Sequence, residues 1–209
     1  MMHWATVVAL PLFVCAGCGG LFRTFLNSPW RERWQQPKAV IQSLAIKPGD
    51  HVADLGAGGG YFTFRLADAV GPTGKVYAVD VDEGNLDYIA RRAKEQGYAN
   101  VEVILAKYDD PLLPGGGVDL IFTCNTYHHL ENRADYFASA ARYLRPGGRV
   151  AVIDLNGNSW FHKLLGHWTP KETSRTEMEA AGYQLVSDFD FLSRQNFQVF
   201  AFNHQGGQS

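Results

Sequence analysis

The run Val52-Ala53-Asp54-Leu55-Gly56-Ala57-Gly58-Gly59-Gly60-Tyr61 constrains the fold more than any other part of the chain. Strand-like residues lead into glycines at the alternate positions 56, 58 and 60, and Tyr61 to Ala67 then has helical spacing. A strand, a glycine turn and a helix in that order let backbone N–H groups and a helix N-terminus approach a bound nucleotide closely. The pattern is acidic-x-Gly-x-Gly-x-Gly. It differs from the Gly-x-Gly-x-x-Gly of dinucleotide sites because Tyr61 stands at the last position. An acid two places before the first glycine suits a ligand with a cationic ammonium group. A pyrophosphate would be repelled by Asp54.

The rest of the chain repeats the strand-then-helix rhythm. Strands are expected over His51–Leu55, Val76–Val79, Val101–Leu105, Leu120–Cys124 and Val150–Ile153. Helices are expected from about Tyr61 to Val70, ended by Gly71-Pro72, and over Gly84–Gln96, Arg133–Leu144 and Thr173–Ala181. Gly97 reads as a C-cap. Asn27 to Gln36 reads as a linker entering a helix that continues over Lys38–Leu44. Alternation of this kind implies a parallel sheet covered on both faces. The tail changes rhythm, with two strands, Gln184–Leu192 and Phe197–Phe202, joined by a short turn.

Three further blocks fall in register with the glycine turn. Lys75-Val76-Tyr77-Ala78-Val79-Asp80-Val81-Asp82 ends in an acid about twenty positions on, where a carboxylate can accept from both hydroxyls of a ribose. The others are Val118-Asp119-Leu120-Ile121-Phe122-Thr123-Cys124-Asn125 and Tyr143-Leu144-Arg145-Pro146-Gly147-Gly148, which runs on into Arg149 to Asp154. Together the four blocks resemble the class I S-adenosylmethionine-dependent methyltransferases, over roughly residues 38 to 202. In core motifs the chain is similar to the ubiquinone/menaquinone-type C-methyltransferases.

The resemblance implies an α/β, Rossmann-like, doubly wound, seven-stranded and mostly parallel sheet with an antiparallel C-terminal hairpin strand. It implies S-adenosylmethionine as cofactor and methyl transfer to a small acceptor, and a membrane-proximal domain would fit a lipophilic one. The cofactor residues it implies are Asp54, Gly56, Ala57, Gly58, Gly60, Tyr61, Asp80, Val81, Tyr108, Asp109 and Asn125. Asp54 would orient the loop or meet the ligand ammonium, Asp80 would hold the ribose and Val81 would pack on adenine. Asp82 reads as a helix N-cap. Lys107 departs from the family, since an acid often accepts the adenine amino group there and Lys has no acceptor. The Tyr108 backbone or Asp109 is expected to substitute.

The acceptor side follows the fourth strand as Asn125-Thr126-Tyr127-His128-His129-Leu130, because ligands of open α/β sheets bind beyond the strands' carboxyl ends. His128 and His129 are the candidate catalytic bases, and one of the pair is expected to fix the loop instead. No Pro-Pro follows Asn125, which weakens amino-group methylation of the Asn-Pro-Pro-Tyr type. His162, His167 and Trp168 lie where relatives often carry a substrate lid. No Cys/His/Asp set has metal-ligand spacing.

The chain divides into an apolar signal or anchor segment, 1–26, and a methyltransferase domain, 27–209. Met1 to Phe22 carries no formal charge, whereas Arg23, Arg31, Arg33 and Lys38 follow it. That asymmetry favours membrane association through residues 4–22 with the domain facing the cytoplasm, where the cofactor is made. The alternative is an exported lipoprotein, for which Cys15-Ala16-Gly17-Cys18 is a partial cleavage site. A net charge of −2 without a basic run gives no reason to expect nucleic acid as a partner. Two other functions compete, a non-catalytic S-adenosylmethionine-binding protein and a nicotinamide-dependent oxidoreductase. The glycine spacing and Pro146-Gly147-Gly148 oppose the second.

Overall fold

The computed structural model describes residues 29–115, 117–158 and 167–203. The apolar segment 1–26 and His162 therefore lie outside the described residues. No helix among the described residues is long and apolar enough to cross a membrane.

Two short helices, α1 (Pro29–Gln35) and α2 (Pro37–Ser43), precede the sheet. The expectation of a linker over 27–36 is thus corrected. Each proline opens a helix rather than breaking one, because the first helical residue has no use for its N–H. Gln36, at φ 44°, makes the bend between them.

The chain then runs β1 (His51–Leu55), α3 (Thr63–Val70), β2 (Lys75–Asp80), α4 (Glu83–Gln96), β3 (Val101–Leu105) and β4 (Val118–Cys124). A 3-10 turn, Tyr127–His129, leads into α5 (Arg133–Ala140), followed by β5 (Leu144–Leu155), α6 (Lys171–Ala180), β6 (Tyr183–Phe189) and β7 (Gln195–Phe202). The strand order is β3-β2-β1-β4-β5-β7-β6. Pairing is parallel from β3 to β5, and β7 runs antiparallel to both β5 and β6. This is the Rossmann-like sheet with an inserted antiparallel strand that the motifs implied.

The central strands are apolar on both faces, as sheets covered on both sides require. Val52, Leu120, Phe122 and Ile153 pack on one side with Val40 of α2 and Leu66 of α3. Ala53, Leu55, Ile121 and Val152 face the other way, against Phe137 of α5 and Met178 of α6. The helix expected over 133–144 stops at Ala140, because Leu144 already pairs with Val118. Arg145 to Gly148 then bulge opposite the single residue Asp119, and Arg145 binds the Asp119 carboxylate at 2.7 Å.

Candidate functional site

Five features meet beyond the carboxyl ends of β1, β2 and β4 and enclose a cavity of about 1150 Å³. They are the glycine turn, the β2 end, the loop after β3, the β4–α5 segment and α1.

Asp54 ends β1 at 3 % exposure and accepts a 2.6 Å hydrogen bond from the Thr63 hydroxyl. Burial raises its pKa to about 7, with the nearby Asp80 carboxylate adding to the effect against Thr63 and Arg31. An acid in that state gains from a cation brought beside it.

The turn after β1 is fixed by the Gly56 and Ala57 N–H groups, both donated to the Val79 carbonyl at 2.8 and 3.0 Å. Gly56, Gly58 and Gly60 all have positive φ, for different reasons. A Cβ on Gly56 would stand 2.1 Å from the Thr126 hydroxyl, and one on Gly60 would stand 2.9 Å from the Phe64 ring. A Cβ on Gly58 would meet no protein atom and would stand beside the cavity. The missing side chains bring backbone close to Thr126 and Phe64 at two positions and leave ligand space at the third.

Asp80 ends β2 with one carboxylate oxygen taking the Gly58 N–H at 2.7 Å and the other taking the Asp82 N–H at 3.0 Å. The turn and the acid thus fix each other. Asp82 caps α4 through the Asn85 N–H, as its place in the sequence suggested.

Past β3, backbone bonds between Lys107 and Asp110 close a tight turn with Tyr108 and Asp109 at its tip. Asp110 is committed to structure by the Leu112 N–H, the Tyr143 hydroxyl and Arg142. Asp109 lines the cavity, as does Tyr108 at 84 % exposure.

Of the cofactor residues expected from sequence, Asp54, Gly56, Ala57, Gly58, Tyr61, Asp80, Val81, Tyr108, Asp109 and Asn125 line the cavity. Gly60 does not, and serves packing. Asn125 holds a left-handed conformation at φ 57° while its side-chain oxygen accepts from Gln195 at 2.7 Å.

The two histidines separate. His129 lines the cavity, whereas His128 is buried with Nδ1 2.7 Å from Asp154. His167 closes the cluster, its ring centroid 5.5 Å from His128 and 5.3 Å from His129. Burial, followed by the charges of His128 and His167, lowers the His129 pKa below its usual 6.5. That shift favours the neutral imidazole at His129. The Cys124 thiol also lines the cavity, but burial pushes its pKa up to about 12, so it is not a nucleophile.

The sequence reading did not single out Arg31, Gln35 or Gln195, among others. Arg31 counted there only as flanking charge, yet it lines the cavity with its guanidinium carbon 3.9 Å from the Tyr61 ring centroid. Gln35 and Gln195 are buried and bonded to each other at 2.7 Å. The one available signal was the paired prolines bounding α1.

The residues present suit S-adenosylmethionine. A buried acid awaits a cation, a second carboxylate stands at the ribose position, and a turn without side chains leaves room between them. The chain belongs to the methyltransferase domain family, which matches residues 46–197, and its sequence and fold are those of the class I S-adenosylmethionine-dependent methyltransferases. The family and its solved neighbours imply S-adenosylmethionine as the cofactor.

Among relatives, it is 28 % identical over 173 residues to the ubiquinone/menaquinone biosynthesis C-methyltransferase of Ectopseudomonas mendocina, covering 81 % of this chain and 65 % of that protein. It is 33 % identical over 115 residues to the nocamycin O-methyltransferase of Saccharothrix syringae, covering 55 % of this chain and 41 % of that protein. The chain thus spans less than two-thirds of the length of both relatives. The crystal structure of an S-adenosylmethionine-dependent methyltransferase from Aquifex aeolicus superposes with a TM-score of 0.77 at 25 % identity, covering 87 % of this chain and 96 % of that one.

Proposed function

We propose that this chain transfers the methyl group of S-adenosylmethionine to a small lipophilic acceptor that loses a proton in the reaction, and that His129 takes that proton. The observation that carries this reading is the placement of the His129 imidazole in the cavity that holds Asp54 and Asp80. When bound, the cofactor supplies an electrophilic methyl on a sulfonium, which needs alignment and dryness more than covalent help. The cavity of about 1150 Å³ exceeds the range of about 300–1,000 Å³ for a single small ligand, so an acceptor fits beside the cofactor. Leu130 and Tyr136, from the same β4–α5 segment as His129, also line the cavity, which favours an apolar acceptor.

In this reading Asp54 meets the ammonium and the backbone-held Asp80 accepts from the ribose hydroxyls. Val81 flanks the adenine, and Asp109 accepts from its amino group in place of the Asp110 carboxylate, which is already engaged. Asp154 fixes the His128 ring, and His128 packs behind His129 at a centroid distance of 4.0 Å. The apolar segment 4–22, with cationic residues after it, brings the domain to the cytoplasmic face of a membrane.

The test is methyl transfer from radiolabelled S-adenosylmethionine to a panel of phenols and quinols, with tertiary amines as controls. Transfer to the first group, reduced roughly 10²–10⁴-fold in kcat by His129→Ala with cofactor affinity unchanged, is expected. Transfer that His129→Ala leaves intact would remove the base. Cofactor binding with no transfer to any acceptor would favour the non-catalytic alternative. Fractionation of the full chain into the soluble phase would refute the membrane assignment.

A further inference from the structure

The sheet face that packs on α5 and α6 is apolar through Ile121, Val152 and Phe200. It turns polar toward the carboxyl end of β5. Thr123, Asp154 and Gln198 stand on that same face, because each lies two residues from one of those core positions. Thr123 of β4 and Gln198 of β7 flank Val152 in the register, and Asp154 is the next residue of β5 on that side. Thr169 joins them there. Its N–H donates to the Leu155 carbonyl at 3.1 Å, and its own carbonyl accepts from Asn196, the partner of Asp154 on β7.

All four side chains are at most 2 % exposed, and none of them lines the cofactor cavity. Among the described residues, five buried side-chain polar atoms have no hydrogen-bond partner. Four of the five belong to this group: Thr123 Oγ1, Asp154 Oδ2, Thr169 Oγ1 and Gln198 Nε2. A buried polar atom without a partner is costly, so four of them in one place point to a shared ligand. The set is also complementary. The carboxylate oxygen accepts, the amide nitrogen donates and the two hydroxyls do either. Ser174 of α6 fixes the Gln198 amide from its other end, donating to Oε1 at 2.7 Å. We propose that ordered water binds here, on Asp154 Oδ2, and is shared with Thr123, Thr169 and Gln198. A buried site with both donors and acceptors is what an internal water needs.

The water supports His129 from behind. The other oxygen of Asp154 lies 2.7 Å from His128 Nδ1, which must carry a proton to meet a carboxylate. His128 packs in turn on His129, with 4.0 Å between ring centroids. With water on Oδ2 and His128 on Oδ1, the carboxylate is held at both ends, and His128 keeps one orientation and one tautomer. The water and Asp154 are positioning groups for His129, and that part of the proposal rests on the reading of His129 as the base.

The test is a high-resolution crystal structure of the full-length wild type, with histidine nitrogen NMR of the wild type, Thr123→Val and Thr169→Val. Valine keeps the shape of threonine and removes the hydroxyl. The crystal should show ordered solvent within hydrogen-bonding distance of Asp154 Oδ2 and of at least one threonine hydroxyl. The wild-type spectrum should show a single His128 tautomer, protonated at Nδ1. Each valine variant should lose that single tautomer and shift the His129 resonances, while calorimetry shows S-adenosylmethionine bound as tightly as by the wild type. A wild-type crystal with ordered water elsewhere in its interior and none at Asp154 would overturn the water site. Unchanged His128 and His129 resonances in both variants would overturn its positioning role. Full methyl transfer by His129→Ala would instead overturn the base reading beneath it and leave the solvent density untouched.

Discussion

At the scale of single residues, the site stores its most consequential electrostatics in Asp54. In the unfolded chain this acid ionises near 3.8, and in the folded protein near 7. A raised carboxylate pKa stabilises the fold fully below the unfolded value, and that contribution is lost as the pH rises from 3.8 toward 7. Asp54→Asn should therefore melt higher than the wild type at pH 8 without cofactor, and the gap should close as the pH falls toward 4. Thermal melts across that range check it. The ionised form is the one that meets an ammonium, so wild-type cofactor affinity should strengthen between pH 6 and 8. Asp54→Asn should bind weakly and lack that slope in calorimetry. A more stable but poorer binder is the expected trade at such a position.

Asp54 was legible in the sequence because its place before a glycine turn is a local pattern. Asp154 and His167 were not legible as partners of the His128–His129 pair. Asp154 is 26 residues from His128, and only the pairing of β4 with β5 brings them together. Periodicity marks which face a residue takes but does not state its neighbour across strands.

At the scale of elements, the β1–α3 turn separates what a glycine does for folding from what it does for binding. Gly56→Ala combines positive φ with a clash against Thr126 and should be the most destabilising of the three alanine substitutions. Gly60→Ala presses on the Phe64 ring and should rank second. Gly58→Ala meets no atom and should cost only about 1–2 kcal/mol for its backbone conformation. Its methyl would stand in the ligand space, however, so it should lose more cofactor affinity relative to its stability loss than the other two. Denaturant titration and calorimetry on the same three variants test that ordering.

Strand-by-strand reading worked where apolar runs were bounded by breakers, as at Gly71-Pro72. It failed at α1, where seven residues between two prolines look like a spacer. Too few turns were present for a helical period to register. The ends of β5 were also misjudged, because Leu144 joins the sheet through its pairing with Val118 and not through its local composition.

At the scale of the whole molecule, cofactor and fold stabilise each other. The cavity is bounded by α1, β1, β2, β4 and the loops after β3 and β4, so a ligand bound there holds most of the N-terminal half in place. At a hundredfold excess over its dissociation constant, S-adenosylmethionine or its demethylated product should add about 2.7 kcal/mol, seen as a rise of roughly 5–10 °C in Tm. Asp80→Ala should lose most of that rise, because its carboxylate also fixes the glycine turn.

The overall architecture was legible because four motifs in order define the sheet. The size of the cavity and its closure by α1 were not. They depend on Gln35 reaching Gln195 across 160 residues of sequence.

That bond has a consequence for how the protein is made. A ribosome delivers α1 well before β7, so the Rossmann-like motifs are complete before Gln195 emerges to hold Gln35 and Asn125 in place. Until then the chain has a nucleotide-binding turn but no finished wall on its methionine side. A nascent chain therefore closes that side of the site only once β7 has emerged.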